Sequence, residues 1–131
     1  MGFVLMFHSI LRWLIVIVAV VALVKLGMGW LRGQKFEKMD RGLVSGFSGM
    51  MDLQLLLGLI FLIGDGMTSG YPMYRIEHAT TLILAVIVGH LPARWKKADD
   101  KTRFRNSFLA VSVAMLLIFA GVATLPGGWS R

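Results

Sequence analysis

The chain has 131 residues, 56% of them from the set AVILMFWYC, with 15 glycines and only 16% charged residues. Soluble domains average about 25% charged residues, so the composition argues against a water-soluble globular domain. The absence of cysteine excludes disulfides, thiolate metal sites and iron–sulfur ligation, and the net charge of +7 lies in two blocks between apolar runs rather than in a nucleic-acid patch.

A membrane-spanning helix needs about 20 mostly apolar residues. Four stretches meet that requirement in chain order: about 3–31, 43–63, 72–91 and 108–125. The first is longer than a bilayer requires, so it is expected to tilt or to run on through Lys25, Trp30 and Arg32. It reads as a span and not as a cleaved leader, because basic residues follow the apolar run instead of preceding it. The segment Gly64-Asp-Gly-Met-Thr-Ser-Gly-Tyr-Pro predicts a turn, with Pro72 opening the third helix. Asp99 and Asp100 suit the approach to the fourth. Short connections predict antiparallel neighbours, giving an all-α, up-down-up-down bundle that forms a single integral membrane domain. Ser45 and Gly49, Ala85 and Gly89, and Ala110 and Ala114 are the small residues expected to let helices approach closely.

Direction follows from the basic residues. Lys25, Arg32, Lys35, Lys38 and Arg41 precede or enter the second span, and Arg94, Lys96, Lys97, Lys101, Arg103 and Arg105 lie between the third and fourth. The middle connection carries none, and only Arg12, Arg75 and Arg131 remain. Both basic connections are therefore expected in the cytoplasm, with the two termini and the 64–74 connection outside.

Ionisable groups inside a bilayer are costly and mark functional candidates. His8 and His78 each lie roughly 8–9 Å below the outer ends of their helices. The first and third helices run in the same direction and are diagonal in a square bundle, so both imidazoles point at one central place. Two axial histidines at such a place are what a haem b with both positions filled requires. Arg12, on the same helix face as His8, and Arg75, one turn before His78, are candidate partners for the propionates. Ala85 and Gly89 recur near the azimuth of His78 and are expected to leave room for a flat macrocycle. A membrane histidine can also simply hydrogen-bond a neighbouring helix. Arg12 and Asp52 lie at similar depths on adjacent helices and suggest an intramembrane ion pair. In that case Arg75 becomes the better propionate partner. A proton or quinone site with Gln54 nearby is the sharper use of Asp52. His90 lies about 18 Å further along the third helix than His78; it is an alternative iron ligand or an interfacial histidine.

His8-Ser-Ile-Leu-Arg-Trp13, Asp52-Leu-Gln-Leu-Leu-Leu-Gly58, Glu77-His78 and Gly89-His90 followed by basic residues resemble a family of small four-helix bacterial membrane proteins labelled cytochrome b-like. The resemblance covers most of the chain. It implies a cytochrome-like protein of the bacterial inner membrane, with His8, His78 and His90 as the haem-facing set. It also implies a histidine in some relatives where this chain has Asp52, which would leave this chain with less haem or none.

Three functions follow as expectations. The first is an electron-transfer protein or small redox subunit binding one haem b near the outer face, exchanging electrons with a quinol or a partner subunit. The second is a haem-free accessory or assembly subunit. The third is a small proton-coupled transporter relying on Asp52. Membrane lipid and a larger membrane complex or further copies of the chain are the expected partners, and nucleic acid is not. No nucleophile–base pair, phosphate loop or metal-hydrolase motif is present in the sequence, so a non-catalytic role is expected.

Overall fold

A computed structural model describes residues 2–130, and the terminal Met1 and Arg131 lie outside the described residues. Four helices follow one another: α1 (Gly2–Arg32), α2 (Lys38–Ser69), α3 (Met73–His90) and α4 (Asp100–Ala123). Single 3₁₀ turns, Leu91–Trp95 and Gly128–Ser130, follow α3 and α4. The protein is an all-α four-helix bundle. Each helix is long and apolar enough to cross a membrane.

α1 packs on α2 and α4, and α3 packs on α4 and α2, so α1 and α3 are diagonal. Contacts fix the directions. His8 meets Gln54 and Gly58 while Lys25 meets Asp40, so α1 and α2 are antiparallel. Ser48 meets Gly89 while Asp65 meets Arg75, so α2 and α3 are as well. The up-down-up-down order expected from short connections is the one found.

The core is a set of stripes at helical spacing. On α1, Leu11, Ile15, Ala19, Ala22 and Leu26 are buried, and on α4 so are Val111, Ala114, Ile118 and Val122. These positions recur every three or four residues and stack on one helix face. The opposite faces are also apolar, with Ile10, Ile17, Val24, Leu116 and Phe119 exposed. A helix that is hydrophobic all round suits lipid or a protein partner, not water.

Helix ends depart from the apolar stretches for local reasons. Hydropathy locates α1 and α3 to within a residue, but α2 starts five residues before the stretch 43–63 and ends six beyond it. Its start is set by a reciprocal capping box: the Glu37 side chain accepts from the backbone at Asp40, and Glu37 N–H donates to Asp40 Oδ2 at 2.9 Å. Its end runs through Gly64, Asp65 and Gly66, where the residue types predict a turn. The Tyr71 ring lies where a Cβ at Gly66 would stand, and Asp65 pairs with Arg75 at 2.7 Å. Packing across the connection thus holds two more helical turns, and the turn shrinks to 70–72. Gly70 closes α2 at φ 81, a conformation in which glycine carries no Cβ penalty. α4 starts at Asp100, eight residues before its apolar stretch, because Phe104 and Ser107 already face the interior.

Candidate functional site

The two ends of the bundle are built differently. At the basic end, Asp40 is buried and accepts from Lys25 Nζ at 2.7 Å. The Lys25 ammonium lies 5.7 Å from the centre of the buried Phe104 ring, and Phe104 lies against Gly29, whose missing side chain leaves the room.

The other end encloses a cavity of about 120 Å³ reached by all four helices. His8, Ser9 and Arg12 face it from α1, Gln54 and Gly58 from α2, and Tyr74, Arg75 and His78 from α3. His8 and His78 meet there as expected from their matched depth. Their ring centroids are 6.4 Å apart and their planes cross at 86°. His78 Nδ1 is 2.8 Å from the Gly121 carbonyl of α4. The His8 ring packs against Gly58, where a Cβ would stand 3.2 Å from Cε1. Gln54 Nε2 donates to the His8 carbonyl at 2.8 Å. Among the described residues, His8 Nδ1 and Gln54 Oε1 are buried without a hydrogen-bond partner. Buried polar atoms of native proteins are nearly always satisfied, so two such atoms at one cavity point to a ligand or to water.

Arg12 and Asp52 do not form the ion pair suggested by their depth. Asp52 Oδ1 instead lies 2.7 Å from His90 Nε2. The reason is azimuth. Ser48 and Asp52, one turn apart, both reach α3, whereas Gln54 and Gly58 reach α1. Two residues rotate a helix by about 200°, so Asp52 cannot share the direction of Gln54. Arg12 instead packs its guanidinium against aromatic rings, 5.0 Å from the centre of Trp13 and 5.7 Å from that of Trp129. Arg75 is also committed: it pairs with Asp65 at 2.7 Å and lies over Phe61.

Two further expectations are corrected. Gly89 leaves no room for a macrocycle, because Phe47 of α2 packs against it and Ala85 is buried in the core. The cavity faces Ala79, Leu82 and Val86 instead. Ser45 and Gly49 are exposed, and the close α2–α3 approach is made by Ser48, which donates to the Gly89 carbonyl at 2.7 Å. Sequence reasoning gave no role to Gly121, Asp65 or Trp129. Gly58 carried a signal in the sequence, since it stands one turn beyond Gln54 on the same face.

His8 and His78 bring two imidazoles to one place, 6.4 Å between ring centroids, and a pair of histidines is a donor set that haem iron takes. A histidine that ligates a metal usually gives its other ring nitrogen to a carbonyl or carboxylate, and His78 has that contact in Gly121. The donor set therefore fits. The cavity is tighter: a dry cavity of about 150 Å³ accepts benzene, so a macrocycle needs lining side chains such as Leu59, Leu62 and Leu82 to turn aside.

In comparisons with known proteins, the chain matches no family model, no curated protein and no solved structure.

Proposed function

We propose that the chain is a membrane electron-transfer protein or small redox subunit that binds one haem b at the cavity, where His8 and His78 would hold it. The observation that carries this is the meeting of two imidazoles from diagonal helices 6.4 Å apart inside the bundle. Haem, when bound, would supply one-electron chemistry. The chain's own residues prepare the place. The Gly121 carbonyl orients His78, and Gln54 ties α2 to the backbone carrying His8. Arg12 brings a positive charge to the cavity wall, which favours propionate carboxylates and the reduced state of a buried centre.

In this reading the basic connections face the cytoplasm of a bacterial inner membrane, and the cavity lies near the outer face. His90 is not a ligand in it, because its partner is Asp52. The size of the cavity supports a second reading, a haem-free accessory subunit whose two histidines only brace the helices. Proton-coupled transport through Asp52 has the least support, since among the described residues no carboxylate lines the cavity.

The test is the visible spectrum of detergent-purified protein expressed with ample haem. A reduced-minus-oxidised b-type spectrum in the wild type and in His90→Ala, lost in both His8→Ala and His78→Ala, is the expected result. A folded, colourless wild type overturns the proposal in favour of the accessory subunit.

A further inference from the structure

The two unpartnered atoms at the cavity, His8 Nδ1 and Gln54 Oε1, belong to residues that already touch. Gln54 is only 8% exposed, and its Nε2 donates to the His8 carbonyl at 2.8 Å. That bond fixes which way the amide faces, because an oxygen turned toward the carbonyl would set two acceptors against each other. Oε1 is therefore the amide atom left over, and it can only accept. The Gln54 side chain also lies close enough to the imidazole to interact with it, although Nδ1 and Oε1 are not joined. Across the cavity, His78 shows the finished form of such a contact. Its Nδ1 lies 2.8 Å from the Gly121 carbonyl. A carbonyl accepts and cannot donate, so His78 carries its proton on Nδ1 and its lone pair on Nε2.

We propose that Gln54 does for His8 what Gly121 does for His78: Oε1 accepts the Nδ1 proton, which leaves the lone pair of each ring on Nε2. One buried donor and one buried acceptor satisfy each other after a small turn of the ring. Gly58 leaves space for that turn, since a Cβ there would stand 3.2 Å from Cε1. Gln54 is thus a positioning residue that acts on a ligand through the electron pair of His8. A group drawing on Nε2 polarises the Nδ1–H bond and strengthens its contact with Oε1, so ligand and amide reinforce each other across the ring. The consequence for iron rests on the haem reading above; the place of the proton does not.

Nitrogen NMR of the haem-free protein with isotope-labelled histidine reads that proton directly. The sequence holds 3 histidines, so each signal is assigned by its own alanine variant. His8 is expected to be protonated at Nδ1 in the wild type and in Gln54→Glu, which keeps an acceptor at the same reach. Gln54→Leu removes the acceptor, and the share of His8 protonated at Nδ1 should fall at least twofold. A residue that only braced the helices would be lost in both variants alike, because Glu cannot donate to the His8 carbonyl as the amide does. In haem-loaded protein Gln54→Leu should raise the midpoint potential, shifting the reduction equilibrium at least threefold, as the less basic imidazole favours oxidised iron less. A wild-type His8 protonated at Nε2 overturns the proposal, and so does a proton on Nδ1 that Gln54→Leu leaves in place. Protein that takes up no haem overturns the haem reading alone, and the proton position still decides the role of Gln54. If Gln54→Leu fails to fold, Gln54→Met, as long as Gln and without the oxygen, takes its place.

Discussion

The basic end of the bundle and the histidine end use buried polar groups in opposite ways. Around Asp40 both oxygens have partners: one takes Lys25, the other caps α2, and the Phe104 ring lies beside the Lys25 ammonium. Around His8 there is a cavity, an imidazole nitrogen and an amide oxygen without partners, and an arginine held against indole faces. One fold thus carries a satisfied end that fixes helix register and an incomplete end that has room for a guest. The contrast separates a packed end from an open one, and under the proposed function it is the open end that takes a ligand; substitutions can separate the two.

The largest effect is expected at the satisfied end. Asp40→Ala removes the partner of Lys25 and the cap of α2 together, and breaking a buried pair costs about 3 kcal/mol. Thermal unfolding in detergent should show it as a lower midpoint, without loss of ligand uptake in the cold. Gly29→Ala drives a Cβ into the buried Phe104 ring and should cost roughly 1–3 kcal/mol by overpacking. Gly58→Ala inverts the pattern. Its Cβ presses on His8 at 3.2 Å, but the ring borders a cavity, so the melting penalty should stay below about 1 kcal/mol. Haem affinity, read by titration, should fall instead. Equal losses of stability from Gly29→Ala and Gly58→Ala would erase the distinction between the ends.

The smallest effect is expected at the start of α4. Thr102 holds the carboxyl of the exposed Asp99 below the usual carboxylate range, chiefly by hydrogen bonding. The fold therefore favours the charged form. Its contribution is present above the unfolded-state pKa and is lost as pH falls through the lower folded value. Asp99→Ala should shift the melting midpoint only slightly at neutral pH, and that difference should vanish in acid.

Much of this organisation was legible in the amino-acid order, and what was legible follows from translation along a helix. Counting residues at 1.5 Å each put His8 and His78 at one level, and alternation of direction put them in one place. Rotation was harder to read. Asp52 matched Arg12 in depth, but whether its side chain turned toward α1 or α3 depended on how α2 was rolled in the bundle. The roll is set by contacts such as Phe47 on Gly89 and Gly58 on His8, which exist only once all four helices are assembled. The same holds for Trp129, brought onto Arg12 by the segment after α4, and for Asp65, drawn into α2 by Arg75. The length of α2 was hidden for another reason: hydropathy marks where a helix is apolar, whereas Glu37 and Asp40 mark where it begins.

Electron paramagnetic resonance of the oxidised, haem-loaded protein interrogates the facing imidazoles most directly. Six-coordinate low-spin iron with two histidine nitrogens, converted to a high-spin or empty state by either His8→Ala or His78→Ala, is the predicted outcome. A low-spin signal that survives both substitutions, or protein that folds yet takes up no haem, would contradict the assignment.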